Sequence, residues 1–328
     1  MPQDRIAALY VNLTDIYKQV QLAVPELTQD QSIQNVNGAM LITLSATNDG
    51  LQIDSASETD ASLMGTQVQV NPNARPDEAT ISDVPANTLG FFVGTDLQTV
   101  LKAGMDAVRK NDTSGDIDQQ IKSFEQQFNV SLENDVLPLL SGDYSLSVSP
   151  GASGDIMTPS VLFQLKVKDS QKAADVLSKV MTASGMTTDN VQISGGQFYV
   201  DKSSGLITGV AKDRLWFLFD ADSTSVQAHM TDAIGNIGKG FGSGSQWAAV
   251  KTHLAKDSNV VVYADITGVR EALEKSLLQD DTAKSDYEQN AAPFVKPLKY
   301  LLIGSATQPA KNGTLSRNHS ILFIGISK

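Results

Sequence analysis

Two stretches of the chain, MPQDRIAALYVNLTDI from Met1 and LAKDSNVVVYADITGV from Leu254, align without a gap. Asp4 falls on Asp257, Tyr10 on Tyr263, Asn12 on Asp265, Leu13 on Ile266, Thr14 on Thr267 and Ile16 on Val269. In each copy an apolar run of strand length gives way, at a short polar residue able to cap a helix, to apolar residues at helical spacing. Downstream, MLITLSATNDG is echoed by YLLIGSATQPAKNG, with Ser45-Ala46-Thr47 matching Ser305-Ala306-Thr307 ahead of a glycine-containing turn and a further strand. Two matches in the same order point to a duplicated unit. A looser third copy starts at VPANTLGFFVGTDLQTVLKAGM, where Asp96, Leu97 and Val100 take the places of Asp265, Ile266 and Val269.

Between the copies the element types are readable. GDYSLSVSP and PSVLFQLKVK alternate as strands do, and DSQKAADVLSKVMTASG follows with an apolar stripe on Ala173, Val176, Leu177 and Val180 and a glycine stop. GQFYVD, GLITGVAK and RLWFLFDA form a meander joined by short turns, and STSVQAHMTDAIG reads as another helix. Strands arriving in adjacent groups with helices between them favour an α+β fold over a doubly wound parallel sheet: antiparallel sheets with helices packed on them, built from repeated strand-helix-strand units.

The stretch NPNARPDEATISD, residues 71–83, has two prolines, small polar residues and no apolar period, and reads as a linker. The expected organisation is then residues 1–70 as the C-terminal half of a repeated module, 71–83 as the linker, and 84–328 as a complete module. A chain opening inside such a unit is expected to be the later part of a longer one.

Composition narrows the function classes. At 328 residues with 41% apolar residues the chain buries a sizeable core, and a net charge of −12 repels phosphate backbones, so no nucleic-acid partner is expected. Cysteine is absent, which removes disulfides, thiolate metal sites and cysteine nucleophiles. The three histidines, His229, His253 and His319, lie far apart, each in an ordinary helical or strand setting. Abundant Ser, Thr, Asn, Gln and Gly beside short β-branched runs suit an extracytoplasmic bacterial protein.

Few motifs carry chemistry. KNDTSGDIDQQI gathers Asp112, Asp116 and Asp118, an oxygen-rich group that makes these three the calcium candidates, although Gly115 precedes Asp116 and the twelfth position counted from Asp112 is Ser123, out of register with an EF-hand. The plainer account is a turn in which Ser114 or Asp116 caps the helix IDQQIKSFEQQF. GNIGKGFGSGS matches neither phosphate-loop pattern and reads as a flexible connector that, if it moves, flanks a groove. Trp216, Phe217 and Phe219, with Phe91 and Phe92, read as strand aromatics of the core. Asp54, Glu58 and Asp60 share one strand face, a paired-carboxylate pattern whose default is an exposed acidic surface. No G-x-S-x-G elbow is present and no catalytic residue is assigned.

Five blocks, VPANTLGFFVGTDL, LENDVLPLLSGDYSLSV, LFQLKVKDSQKAADVLSKV, LITGVAKDRLWFLFDADSTSVQAHMTDAI and LAKDSNVVVYADI, resemble in this order the successive blocks of the bacterial domain-of-unknown-function 3352 (DUF3352) proteins. The resemblance covers roughly residues 84–275, and the opening 60 residues resemble a terminal block. It implies a secreted or membrane-anchored envelope protein, typically with an N-terminal membrane segment, and brings no activity, cofactor or catalytic residue. The expected function is a non-enzymatic structural or interaction module, associating with a protein partner or with itself through sheet edges. The alternative is a carrier of an apolar or lipid-like ligand held between sheet and helices, which calls for a continuous apolar cavity.

Overall fold

The computed structural model describes residues 5–23, 38–60, 75–112, 115–151, 156, 158–255, 258–277, 281–309 and 315–327. The elements run β1 (Arg5–Asn12), α1 (Leu13–Ala23), β2 (Gly38–Ala46), β3 (Gly50–Asp60), α2 (Glu78–Ser82), β4 (Gly90–Thr95), α3 (Leu97–Asn111), α4 (Asp116–Phe128), β5 (Asp143–Ser149) and β6 (Ser160–Lys166). There follow α5 (Ser170–Ala183), β7 (Asp189–Ile193), β8 (Gly196–Asp201), β9 (Leu206–Ala211), β10 (Arg214–Asp220), α6 (Val226–Gly235) and α7 (Ser245–Val250). The chain closes with β11 (Val260–Asp265), α8 (Ile266–Leu277), α9 (Asp281–Asn290), α10 (Ala292–Val295), β12 (Leu298–Pro309) and β13 (Leu315–Ile326).

All thirteen strands join one sheet, in the order β1-β2-β3-β13-β12-β11-β4-β5-β6-β10-β9-β8-β7. Every pairing is antiparallel, so the α+β class read from the sequence holds. Three times the chain runs strand, helix, then two strands that extend the sheet outward from the first: β1 to β3, β4 to β6, and β11 to β13. The polar residue after each first strand does the same work. The side chain of Asn12 accepts a hydrogen bond from the Asp15 amide at 3.2 Å, Asp96 from the Thr99 amide at 3.3 Å, and Asp265 from the Gly268 amide at 2.9 Å. In each case the otherwise unpartnered N–H of the first helical turn is satisfied by the residue that ended the strand.

At β6, β9 and β10 the sheet is covered on both faces. One face carries two cores: Phe91, Val93, Tyr263, Leu302 and Phe323 under Ile81, Val84, Phe241 and Trp247, and then Leu162, Trp216, Leu218 and Ile207 under Val226, Met230 and Ile234 of α6. The opposite face packs Leu165 and Val210 against Ala173, Leu177 and Met181 of α5. The stripe read along α5 holds for Ala173 and Leu177, while Val176 packs at the margin.

The stretch read as a linker ends in built structure. Residues 71–74 lie outside the described residues, but Glu78–Ser82 form α2, capped by Asp77, and Ile81 and Val84 enter the first core. A five-residue helix is too short to show a period, and its two apolar anchors are hidden among polar neighbours. The glycine-rich stretch also departs from the connector expected of it. The amides of Gly240 and Phe241 donate to the carbonyls of Ser82 and Val84, each at 2.7 Å, clipping this turn to the end of α2. A Cβ on Gly240 would fall 1.8 Å from the Val84 oxygen, so the close approach requires glycine there.

Candidate functional site

On the sheet face under α6, strand register lines up a polar row. Ser160 of β6 lies opposite Ser149 of β5 and opposite Asp220 of β10, and one step along the same face Leu162 lies opposite Ser147 and Leu218. α6 crosses above, presenting His229, Asp232, Ala233 and Asn236, spaced as one helical face. The clipped segments at 83–87 and 239–240 close the far side, and the result is a cleft of about 580 Å³.

Asp220 is fully buried, and its carboxylate is surrounded by donors. Ser160 donates to Oδ2 at 2.8 Å, Ser225 donates to the same oxygen at 3.3 Å, and the Asp222 amide donates to Oδ1 at 2.9 Å. The Nδ1 of His229 also meets Oδ2. Such a set offsets the cost of burying the charge, which unpaired amounts to several kcal/mol. Next to it the carboxyl of Asp222 is held below its ordinary value, first by the Thr224 hydroxyl and then by the Thr224 amide.

The network also fixes the imidazole. Nδ1 is held on the carboxylate, which leaves Nε2 on the ring's other side. Ser160 Oγ lies 3.3 Å from Nδ1, the same nitrogen that meets Asp220. A relay for nucleophilic catalysis needs the serine on the opposite nitrogen from the acid, so these three side chains do not form one.

Asp83 closes the other end of the cleft. Nearly buried, it pairs with Arg214 and accepts from the Gly238 amide at 2.8 Å. Beneath, Gln164 of β6 lies opposite Ser145 of β5, and both are buried with their side-chain polar atoms unpartnered among the described residues. The seam between the two cores of this face is therefore polar from Ser160 inward to Gln164.

Sequence reasoning placed His229 in an ordinary helix and missed the cleft, because Asp220 and Ser160 reach it only through sheet pairing. The calcium candidates have other uses. Asp112 accepts from the amides of Gly115 at 3.0 Å and Ile117 at 2.8 Å, so it caps α4 in place of Ser114, which lies outside the described residues, or Asp116. Asp118 pairs with Arg109 at 2.9 Å. No group of three metal-ligating side chains occurs among the described residues.

Glu58 pairs with Arg317 across the β3–β13 seam at 3.0 Å, and Asp54 lies 3.7 Å from His319. The side chain of Asp60 lies outside the described residues. Phe91 and Trp216 are core residues, Phe92 stacks on Tyr144 with centroids 5.9 Å apart, Phe217 packs at the margin of the α5 core, and Phe219 is half exposed. His253 stacks on Phe323 with centroids 3.6 Å apart, and its pKa is lowered by burial. No helix among the described residues is long and apolar enough to cross a membrane.

Comparison with known proteins adds two findings. The sequence model of the family described as "Protein of unknown function (DUF3352)" matches residues 1–322. A solved structure titled "Structure of crystal form I of TP0453" aligns with a TM-score of 0.36 at 8% identity, covering 76% of this chain and 92% of that one. No curated protein matches the chain.

Proposed function

The chain belongs to the DUF3352 family of proteins of unknown function, and from that premise we propose that it is a non-enzymatic interaction module that self-associates through its β1 edge. One observation carries this reading. Among the described residues β1 ends the sheet, with β2 as its one neighbour, and is apolar and exposed on both faces: Ile6 is 59%, Leu9 57% and Tyr10 66% exposed. Successive strand residues alternate between faces, so Leu9 and Tyr10 extend apolar surface on opposite sides of the sheet. A strand of this kind is a template for pairing with another strand; Arg5 and the register shift between Arg5 and Ala7 interrupt only its start, and Ala7 to Asn12 pair in regular register.

The occupant we assign is β1 of a second copy, antiparallel. Within the chain, β11 holds the place in its strand-helix-strand-strand run that β1 holds in its own, and β11 pairs antiparallel with β4, the first strand of another run. First strands of two runs thus already meet edge to edge. The other sheet edge, β7, has five residues against eight in β1 and begins with Asp189 and Asn190, so it offers a shorter and more polar template. A β1-to-β1 contact is isologous and closes as a dimer rather than a filament.

The apolar-carrier reading calls for a continuous apolar cavity between sheet and helices, and in the cleft under α6 the apolar surface of Pro85, Leu162, Leu218 and Ala233 is interrupted by His229, Asp232, Asn236 and Lys239. An extracytoplasmic location is part of the same proposal and rests on composition and the family resemblance. Sedimentation equilibrium tests the dimer. The unaltered chain should dimerise at micromolar to tens-of-micromolar concentration, and the double variant Leu9→Lys, Tyr10→Lys should be a monomer with unchanged circular dichroism. An unaltered chain that stays monomeric at about 100 µM, or a double variant that still dimerises, overturns it.

A further inference from the structure

The cleft under α6 brings together polar groups of opposite kind: the Asp232 carboxylate accepts hydrogen bonds, whereas Lys239 brings an ammonium and Asn236 an amide able to donate. Asp232 and Lys239 carry opposite charges, and neither forms an ion pair with another described residue. The remaining charges of the cleft are already matched: Asp220 by its ring of donors and Asp83 by Arg214. What stays free is one negative end, one positive end, and between them apolar surface from Leu162, Leu218 and Ala233.

We propose that this cleft binds a short zwitterionic peptide, its amino terminus at Asp232 and its carboxylate at Asn236 and Lys239. Asp232 stands on the last turn of α6, whereas Asn236 caps its end and Lys239 follows in the turn beyond, its amide donating to the Asn236 carbonyl at 2.9 Å. A volume of about 580 Å³ lies in the usual range of small-molecule sites. Apolar side chains of the peptide rest on Leu162 and Leu218. This inference uses β5, β6, β10 and α6, and stands apart from the β1 dimer, so either one survives failure of the other.

Isothermal titration of the full chain with L-alanyl-L-leucine tests it, beside N-acetyl-L-alanyl-L-leucine and L-alanyl-L-leucinamide. The free dipeptide should bind with a Kd between about 10 µM and 1 mM, and each blocked form about tenfold more weakly. Asp232→Asn should weaken the free dipeptide about tenfold yet leave the acetylated one unchanged. Lys239→Gln should act in the same way on the free dipeptide and spare the amide. Both positions are exposed, so both variants keep the fold. Absence of binding at about 5 mM dipeptide, equal affinity for free and blocked forms, or variants that act equally on all three probes would overturn the assignment.

Discussion

The first and last strand-helix-strand-strand runs share a sequence pattern and differ in their surroundings. Tyr10 and Tyr263 align, follow similar apolar residues and precede helices capped in the same way, yet Tyr10 is 66% exposed and Tyr263 is 1% exposed. The two rings also point to the same face of the sheet. Tyr263 sits there against Phe91 and Phe241, with centroids 5.4 and 4.7 Å away, beneath Trp247 and Ile81. Past Phe323 that face passes to Gln52 and Asp54 on β3, and by β1 no described residue covers it. The difference lies outside the runs themselves. Cover for β11 comes from α2, from the turn at 240–243 and from α7, segments with no counterpart among the described residues of the first run. A strand of given sequence thus becomes core or edge according to what is inserted elsewhere in the chain.

The largest effect expected from breaking this comparison is at the two tyrosines. Tyr263→Ala should cost about 3 to 5 kcal/mol in urea unfolding, as removal of large buried rings does. Tyr10→Ala should lie within about 0.5 kcal/mol of the unaltered monomer. Equal losses at both sites would mean that β1 is covered after all.

Next comes the clip that holds the cover in place. Gly240→Ala forces a Cβ into the Val84 carbonyl and should cost about 1 to 3 kcal/mol, with faster amide exchange at Val261 and Tyr263 and none of that change in β1 to β3. Smaller still are the caps. Asp265→Ala and Asn12→Ala should each cost about 1 kcal/mol, and a gap between them measures how unequally the two runs rely on their caps. The smallest effect is one of pH. Burial lowers the pKa of His253, so the folded chain binds its proton less readily than the unfolded chain does. Its contribution to stability is present above the unfolded value of about 6.5 and is lost as pH falls through the lower folded value. His253→Gln should flatten that part of the pH profile of unfolding, and no residue of β1 to β3 should reproduce the effect.

The sequence carried the local half of this structure plainly. Asn12, Asp96 and Asp265 announce a strand-to-helix turn because a cap needs one residue and one amide three positions on. The meander β8 to β10 was legible for the same reason, its strands being apolar and its turns short. The union of all strands in one sheet was not, because β3 meets β13 across more than 250 residues, and pairing at that distance leaves no periodic trace. α2 stayed hidden because Ile81 and Val84 alone anchor it. The cleft was hidden by the same physics. Ser160 and Asp220 are neighbours only through strand register, and His229 enters their network from a helix that begins after the second of those strands. A buried aspartate closing an apolar strand, with a histidine nine residues on, is the one local sign that could have drawn attention to it.

The seam between β3 and β13 has a bearing on how the chain is made. Synthesis delivers β1, β2 and β3 more than 250 residues before the strand that joins them to the rest, Leu315–Ile326. While the residues between are made, these three strands have two open edges, at β1 and at β3, and the sheet from β4 onward is assembled behind them. Only once β13 has been made is one of those edges closed. A nascent chain with this plan has most to gain from a holding chaperone that binds extended apolar segments, and least margin for a pause that leaves β13 unmade.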